Sequence, residues 1–328
     1  MSKRIVWIDI AKGLLIILVV LGHCEINNGL KYVICSFYMG AFFFLSGLTF
    51  SVKKEPKVFL ERKIKSLLVP YCFFSIIMTA YNFAKHLLFD SPFKLKEAIL
   101  SIVFPISGKY ESSVYGLWFL PCIFLTELLL YSIIKIYHKN RFISVVYGLT
   151  ITILLVLMYE FTKIACVLTI VPTALVFMLL GLFLKKIVFQ IDNKHVTVFF
   201  GGVLILFVLS VFLNRVVSDS SLDMSSLNLG CIPFYILSTL FGSLLVCVIS
   251  IIVSKLKFTK VIIFIGTYSL YFYGFHYEIL GLLSSFIKNP YLLALIALLV
   301  LLPIVYIYIK IKFKTEGKLN DKCNSSGL

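Results

Sequence analysis

Ten stretches of this chain are long and apolar enough to cross a lipid bilayer, and that one feature decides what it can fold into. A span needs about 20 mainly apolar residues, because about 30 Å of hydrocarbon is crossed at 1.5 Å per residue. The stretches are residues 5–23, 32–52, 67–89, 115–136, 143–159, 164–183, 196–212, 231–253, 261–283 and 291–311. Residues 98–106 are apolar but too short, which fits an interfacial or re-entrant piece. Composition agrees: 60% of the chain is hydrophobic and 14% charged, against about 45–50% and about 25% in an ordinary globular domain. No interior surrounded by water holds that excess, so lipid is the solvent and helices carry the chain across it. The expected fold is an all-α integral membrane protein, a polytopic bundle of about ten transmembrane helices. It forms one domain over residues 1–328 without internal repeats, with a short basic cytoplasmic tail at 312–328.

The net charge of +16 is spread in short basic runs between apolar stretches, where Lys and Arg orient helices. That placement argues against a nucleic-acid partner. Of 31 Lys and Arg, Lys12 lies inside a stretch; 22 of the others fall on one side of the membrane and eight on the other. The positive-inside rule then puts both termini in the cytoplasm of a cell whose inner membrane holds the chain. The longest external connections are residues 85–114 and 214–230, where a substrate outside the cell has room to be held. The eight cysteines show no CxxC pair or Cys/His metal spacing, so no metal site is expected and packing between helices accounts for them. His23 fills the position before Cys24 where a lipoprotein signal needs a small residue, so the first stretch reads as a retained helix.

Ionisable residues at membrane depth cost several kcal/mol on most scales and mark function by default. They are Asp9, Lys12, His23, Glu127, His276 and Glu278. Asp9 and Lys12 are three residues apart on a helix, so each can neutralise the other. Lys12 and His23 are eleven apart, three turns plus about 20°, hence on one face and about 16 Å apart along the axis. His23 ends an outward-running helix, and His276 reaches the outer half of the bilayer from the ninth stretch. Plainer accounts stand beside these. A helix-end His suits the headgroup region, Asp9 suits the first turn of a helix, and Glu127 or His276 suits packing between helices. Trp118, Tyr71 and the tyrosines at 271 and 273 suit an interfacial belt. On polarity and depth alone, transporter and membrane enzyme remain open.

The stretch Ile8-Asp9-Ile10-Ala11-Lys12-Gly13 … Val19-Val20-Leu21-Gly22-His23 resembles the first helix of the acyltransferase-3 family. The similarity continues through Phe42-Phe43-Phe44-Leu45-Ser46-Gly47, Phe59-Leu60-Glu61-Arg62-Lys63-Ile64-Lys65 and Val69-Pro70-Tyr71. It resumes at Leu117-Trp118-Phe119-Leu120-Pro121 and from Ser269 to His276. The family pairs a basic residue, commonly Arg, with a His beyond ten intervening residues; Lys12 and His23 match it with Lys for Arg. That exchange keeps the charge but loses bidentate geometry, and it resembles the fucose 4-O-acetylase-like branch. Ser66 stands where relatives often carry a second basic residue.

The resemblance implies a membrane O-acetyltransferase with no permanently bound cofactor. Its donor would be cytoplasmic acetyl-CoA, and its acceptor a hydroxyl of a surface polysaccharide or lipid-linked sugar. Arg62, Lys63 and Lys65 at the cytoplasmic mouth would attract the anionic donor, with Tyr71 and Trp118 completing its site. The thioester would thread past Lys12 and Asp9 towards His23, the general base, with His276 and Glu127 orienting the acceptor or His23. The alternative is a transporter or flippase of a glycolipid or polysaccharide intermediate, since polar residues at depth also line transport pathways.

Overall fold

A computed structural model describes residues 5–52, 55–89, 91–103, 115–191 and 196–325. Lys3, Arg4, Lys53, Lys54, Lys109, Lys194, His195 and part of the first long external connection lie outside the described residues. The chain runs α1 (Val6–Gly22), α2 (Asn28–Cys35), α3 (Tyr38–Thr49), α4 (Pro56–Lys63), a π turn (Ile64–Leu68), α5 (Val69–Phe89) and α6 (Leu95–Val103). After a 3₁₀ turn (Tyr115–Leu117) come α7 (Phe119–Tyr137), α8 (Arg141–Thr162), α9 (Val167–Phe189), α10 (Val196–Val217) and α11 (Ile232–Val253). The last three are α12 (Lys260–Thr267), α13 (Ser269–Ser284) and α14 (Pro290–Ser325). Among the described residues there is no strand, only an isolated bridge between Asp223 and Asn228.

Among the described residues, eight helical segments are long and apolar enough to cross a membrane: Asn28–Thr49, Pro56–Leu88, Phe119–Tyr137, Arg141–Thr162, Val167–Phe189, Val196–Val217, Ile232–Val253 and Pro290–Lys312. The other two stretches read from the sequence differ for a definite reason. Residues 5–23 give only the 17 residues of α1, and residues 261–283 break at Tyr268 into α12 of 8 residues and α13 of 16. Neither is one unbroken rod of full span length. The short apolar stretch at 98–106 becomes the nine-residue α6. By its contacts the chain groups into two compact units, α1 with α12–α14, and α2–α11.

In the first unit α1 packs along α12 through glycines. A Cβ at Gly266 would stand 1.6 Å from the Asp9 carbonyl oxygen, and one at Gly13 2.4 Å from that of Ile262. Small residues let helix backbones approach this closely in lipid, where dispersion rather than the hydrophobic effect holds helices together. Gly266→Ala is therefore expected to destabilise the protein by about 1–3 kcal/mol through overpacking. Gly281 on α13 serves as the control, because a Cβ there would meet nothing within 4 Å. Gly281→Ala should be neutral or stabilise by up to about 1 kcal/mol, since Ala is the better helix former. Thermal unfolding in detergent, followed by thiol-dye labelling of buried Cys24, separates the two variants.

The second unit has α3 and α9 in the same kind of contact. A Cβ at Gly47 would meet the Met178 carbonyl oxygen at 2.1 Å, and one at Gly181 would meet that of Phe44 at 2.1 Å. Between α2 and α3 the helix breaks at Phe37, and the Ser36 carbonyl is taken up by Ser238 Oγ (3.1 Å) and Thr239 Oγ1 (3.0 Å) of α11. A buried carbonyl left without a donor would cost about 1–3 kcal/mol.

The connection from α10 to α11 is built, not loose. Asn214, fully buried, donates from Nδ2 to the Leu229 carbonyl (3.3 Å) and accepts from the Cys231 amide (2.8 Å). Asp223 accepts from the Ser225 amide (2.9 Å), Ser225 Oγ (2.7 Å) and Ser226 Oγ (2.9 Å). Gly230 closes the loop at φ +64, and a Cβ there would lie 2.5 Å from Asn214 Oδ1. Any other residue would both strain the backbone and crowd the amide that organises the loop.

Candidate active site

Two histidines read separately from the sequence meet in the first unit. His23 caps the C-terminus of α1, where its amide still donates to the Val19 carbonyl (3.2 Å), and its side chain is exposed. His276 sits in the middle of α13, 1% exposed. Their ring centroids are 5.0 Å apart at 50°. Tyr277, the residue after His276, meets the His23 ring edge-on at 5.7 Å. Consecutive residues on a helix point 100° apart, so α13 touches the His23 ring with two side chains in different orientations.

A hydrogen bond to the backbone fixes the tautomer of His276. Its Nδ1 lies 2.6 Å from the Tyr273 carbonyl oxygen one turn back. Since a carbonyl only accepts, Nδ1 carries the proton, and in the neutral ring Nε2 is left as an acceptor. That Nε2 is buried and has no hydrogen-bond partner among the described residues. Tyr273 also packs its ring at 5.5 Å from that of His276. The imidazole is thus held in one tautomer beside His23, with a free acceptor atom. Buried polar atoms are nearly always satisfied, so an exception at such a place points to function.

Asp9 and Lys12 lie on α1 as read from the sequence, both half-buried and both in contact with neighbours. The backbone of Asp9 is the one against Gly266. Lys12 is therefore held within the first unit, on the helix that ends in His23.

The second unit gathers the remaining candidates differently. Glu127 of α7, 4% exposed, pairs with Lys63 of α4 and accepts a hydrogen bond from Ser46 Oγ at 2.7 Å. Lys63 and Phe59 are one turn apart on α4, and Glu127 and Tyr131 one turn apart on α7. The two faces meet with Phe59 stacked on Tyr131 at 4.2 Å and the Lys63 ammonium 5.6 Å from the Phe59 ring centre. Immediately after Lys63 the helix widens into the π turn, whose closing bond runs from the Val69 amide to the Ile64 carbonyl. The extra residue in such a turn shifts the phase between what precedes and follows it, and π bulges often accompany functional sites. Arg62 and Lys65 remain exposed on either side of the half-buried Lys63.

So Lys63, grouped in the sequence with Arg62 and Lys65 as a donor-attracting cluster, has its charge neutralised by Glu127. Glu127, grouped with the histidines, has its carboxylate committed to Lys63 and Ser46. Tyr71 is 5% exposed and donates its hydroxyl to the Ile102 carbonyl at 2.6 Å, tying α5 to α6. Trp118 is buried at the start of α7, edge-on to Phe119 at 6.2 Å. Sequence reasoning does not single out Ser46 or Tyr277 as site residues. Ser46 is one of two hydroxyls in the apolar run 42–50, with Thr49, a signal that depth alone could have flagged, whereas nothing in the sequence distinguishes Tyr277 from its neighbouring tyrosines.

A family model described as an acyltransferase domain matches residues 5–310. No curated protein and no solved structure matches the chain.

Proposed function

The chain belongs to the acyltransferase-3 family, and from that premise we propose that it is a ten-span membrane O-acetyltransferase. It moves an acetyl group from cytoplasmic acetyl-CoA to a hydroxyl of a surface polysaccharide or lipid-linked sugar. His23 is the general base. The observation that carries this reading is the imidazole pair: an exposed His23 ring at a helix end, beside a buried His276 whose Nε2 is an unused acceptor. A sugar hydroxyl is almost fully protonated at neutral pH and needs a base as it attacks the thioester carbon. His23 takes that proton while the hydroxyl oxygen bonds to the carbonyl carbon, and coenzyme A leaves as the thiolate. His276 Nε2 orients either a sugar hydroxyl or the His23 ring by accepting a hydrogen bond. Lys12 in place of the commoner Arg is compatible with the fucose 4-O-acetylase-like branch.

The donor carries several phosphate charges, and Arg62 and Lys65, both exposed, attract it in this reading. Arg62→Gln with Lys65→Gln is expected to raise the KM for acetyl-CoA by about tenfold at low salt, with the difference shrinking as salt screens it. Steady-state kinetics in nanodiscs at two salt concentrations checks this. An unchanged KM would remove both residues from the donor site.

Radiolabelled acetyl-CoA given to membranes that contain the protein tests the reading as a whole. An acetyltransferase moves label into a glycan fraction, whereas a flippase leaves the glycan chemically unchanged. Label that stays entirely on coenzyme A, with folded protein and a glycan acceptor present, would overturn the reading.

A further inference from the structure

A second polar site lies in the unit formed by α2–α11, at the end of α10 that the count of basic residues assigns to the outside. A cavity of about 230 Å³ is lined by Asn28, Lys31 and Tyr32 of α2, Arg215 near the end of α10, and Ser221 of the loop that follows. It is smaller than the usual 300–1,000 Å³ of a whole-ligand cleft, and suits one charged group or one sugar ring of a larger molecule. Its described lining holds two cations and no carboxylate.

Three features make it a built site and not a chance hollow. Tyr32 is 6% exposed, and its hydroxyl is buried with no hydrogen-bond partner among the described residues. The Arg215 guanidinium stacks over the Tyr32 ring at 4.9 Å, which fixes the plane of its N–H groups. The loop carrying Ser221 is held by the Asn214 and Asp223 hydrogen bonds described above. The carboxylate of Asp223 is occupied by the Ser225 and Ser226 hydroxyls. Asp219 pairs with one Arg215 nitrogen at 2.9 Å, but its side chain is 87% exposed and that of Arg215 50%. An exposed pair of this kind is weak and readily exchanged. The site thus offers an ammonium, the free edge of a guanidinium and a phenol donor, a set that matches the oxygens of a carboxylate or phosphate.

We propose that this cavity holds an anionic group of the carbohydrate acceptor, a uronate carboxylate or a glycan phosphate. The acceptor is then an acidic glycan, not a neutral one. The assignment rests on the acetyltransferase reading for the identity of the glycan as acceptor, but the binding it asserts is independent of turnover.

Full-length protein in neutral-lipid nanodiscs is titrated with three probes of equal length: a glucuronate oligosaccharide, a glycerol-phosphate oligomer and a neutral glucose oligomer. One of the two anionic probes should bind at least tenfold more tightly than the neutral one, and which of them does so names the source of the charge. Lys31→Gln with Arg215→Gln should weaken that probe by about tenfold or more, and Tyr32→Phe by about threefold. Asp219→Asn should tighten it about twofold by releasing the guanidinium, a direction that a merely structural role for Arg215 would not produce. Anionic preference that survives in the Lys31/Arg215 variant overturns the proposal, as does equal binding of the neutral probe. So does binding of added phosphatidylglycerol with neither anionic oligosaccharide bound. Probe binding without any acetyl transfer would instead leave this site standing and defeat the acetyltransferase reading.

Discussion

His23→Ala is expected to lower acetyl transfer by about 10²–10⁴-fold, the usual contribution of a positioned general base, with little change in thermal stability. The small stability effect follows from exposure: the side chain stands outside the core of its unit, and its backbone role in ending α1 is retained by alanine. His276→Phe should also lower turnover, because it removes the Nε2 acceptor beside His23 while filling the same volume. The discriminating variant is His276→Asn. Its amide can donate to the Tyr273 carbonyl but cannot present an acceptor at the Nε2 position. If orienting the reacting groups is what His276 does, kcat falls in this variant while KM for acetyl-CoA holds. Glycan O-acetyl content by NMR, in a strain lacking the gene and restored with each variant, provides the reading in cells. His23→Ala protein that folds, inserts and still acetylates would remove the general-base role.

The second large effect concerns stability. Lys63 and Glu127 form a pair with side-chain exposures of 15% and 6%, and Ser46 supplies a further hydrogen bond to the carboxylate. A buried ion pair contributes little net stability over an apolar replacement, but removing one partner strands the other charge and costs about 3–5 kcal/mol. Lys63→Met is therefore expected to destabilise strongly, since Glu127 is short, deep and anchored in the middle of α7. Glu127→Gln should cost less, because a lysine has four methylenes with which to carry its charge towards the interface. Combining the two substitutions should recover most of the loss from Lys63→Met. Thermal unfolding in detergent, with labelling of buried Cys122 one turn and a half before Glu127, reads all three. Equal stability of Lys63→Met and the intact protein would show that the pair is not closed in the membrane.

The candidate site was legible in the sequence as a set of residues and illegible as a set of contacts. His23, His276 and Glu127 each stand out because a titratable group in an apolar stretch is conspicuous one residue at a time, and Lys63 is named only within the basic cluster that the resemblance implies. Position along the chain puts Lys63 with Arg62 and Lys65, and the mechanism that the resemblance implies puts Glu127 with the histidines. The structure groups them otherwise: His23 with His276 and Tyr277, and Lys63 with Glu127 and Ser46. Each helical pair sharing a face, such as Phe59 with Lys63, follows from the 3.6-residue repeat. Which face meets which does not.

By itself the sequence determined that lipid is this protein's solvent and that helices fill it, because span length and charge placement are sums over neighbouring residues. It also carried the family, whose model matches residues 5–310. Tertiary structure alone decided where α1 and the ninth stretch fall short of unbroken spans, which cation is neutralised, and which imidazole keeps a free acceptor. Those outcomes depend on helices distant in sequence meeting at glycine contacts and hydrogen bonds, and no local repeat encodes a meeting between distant segments.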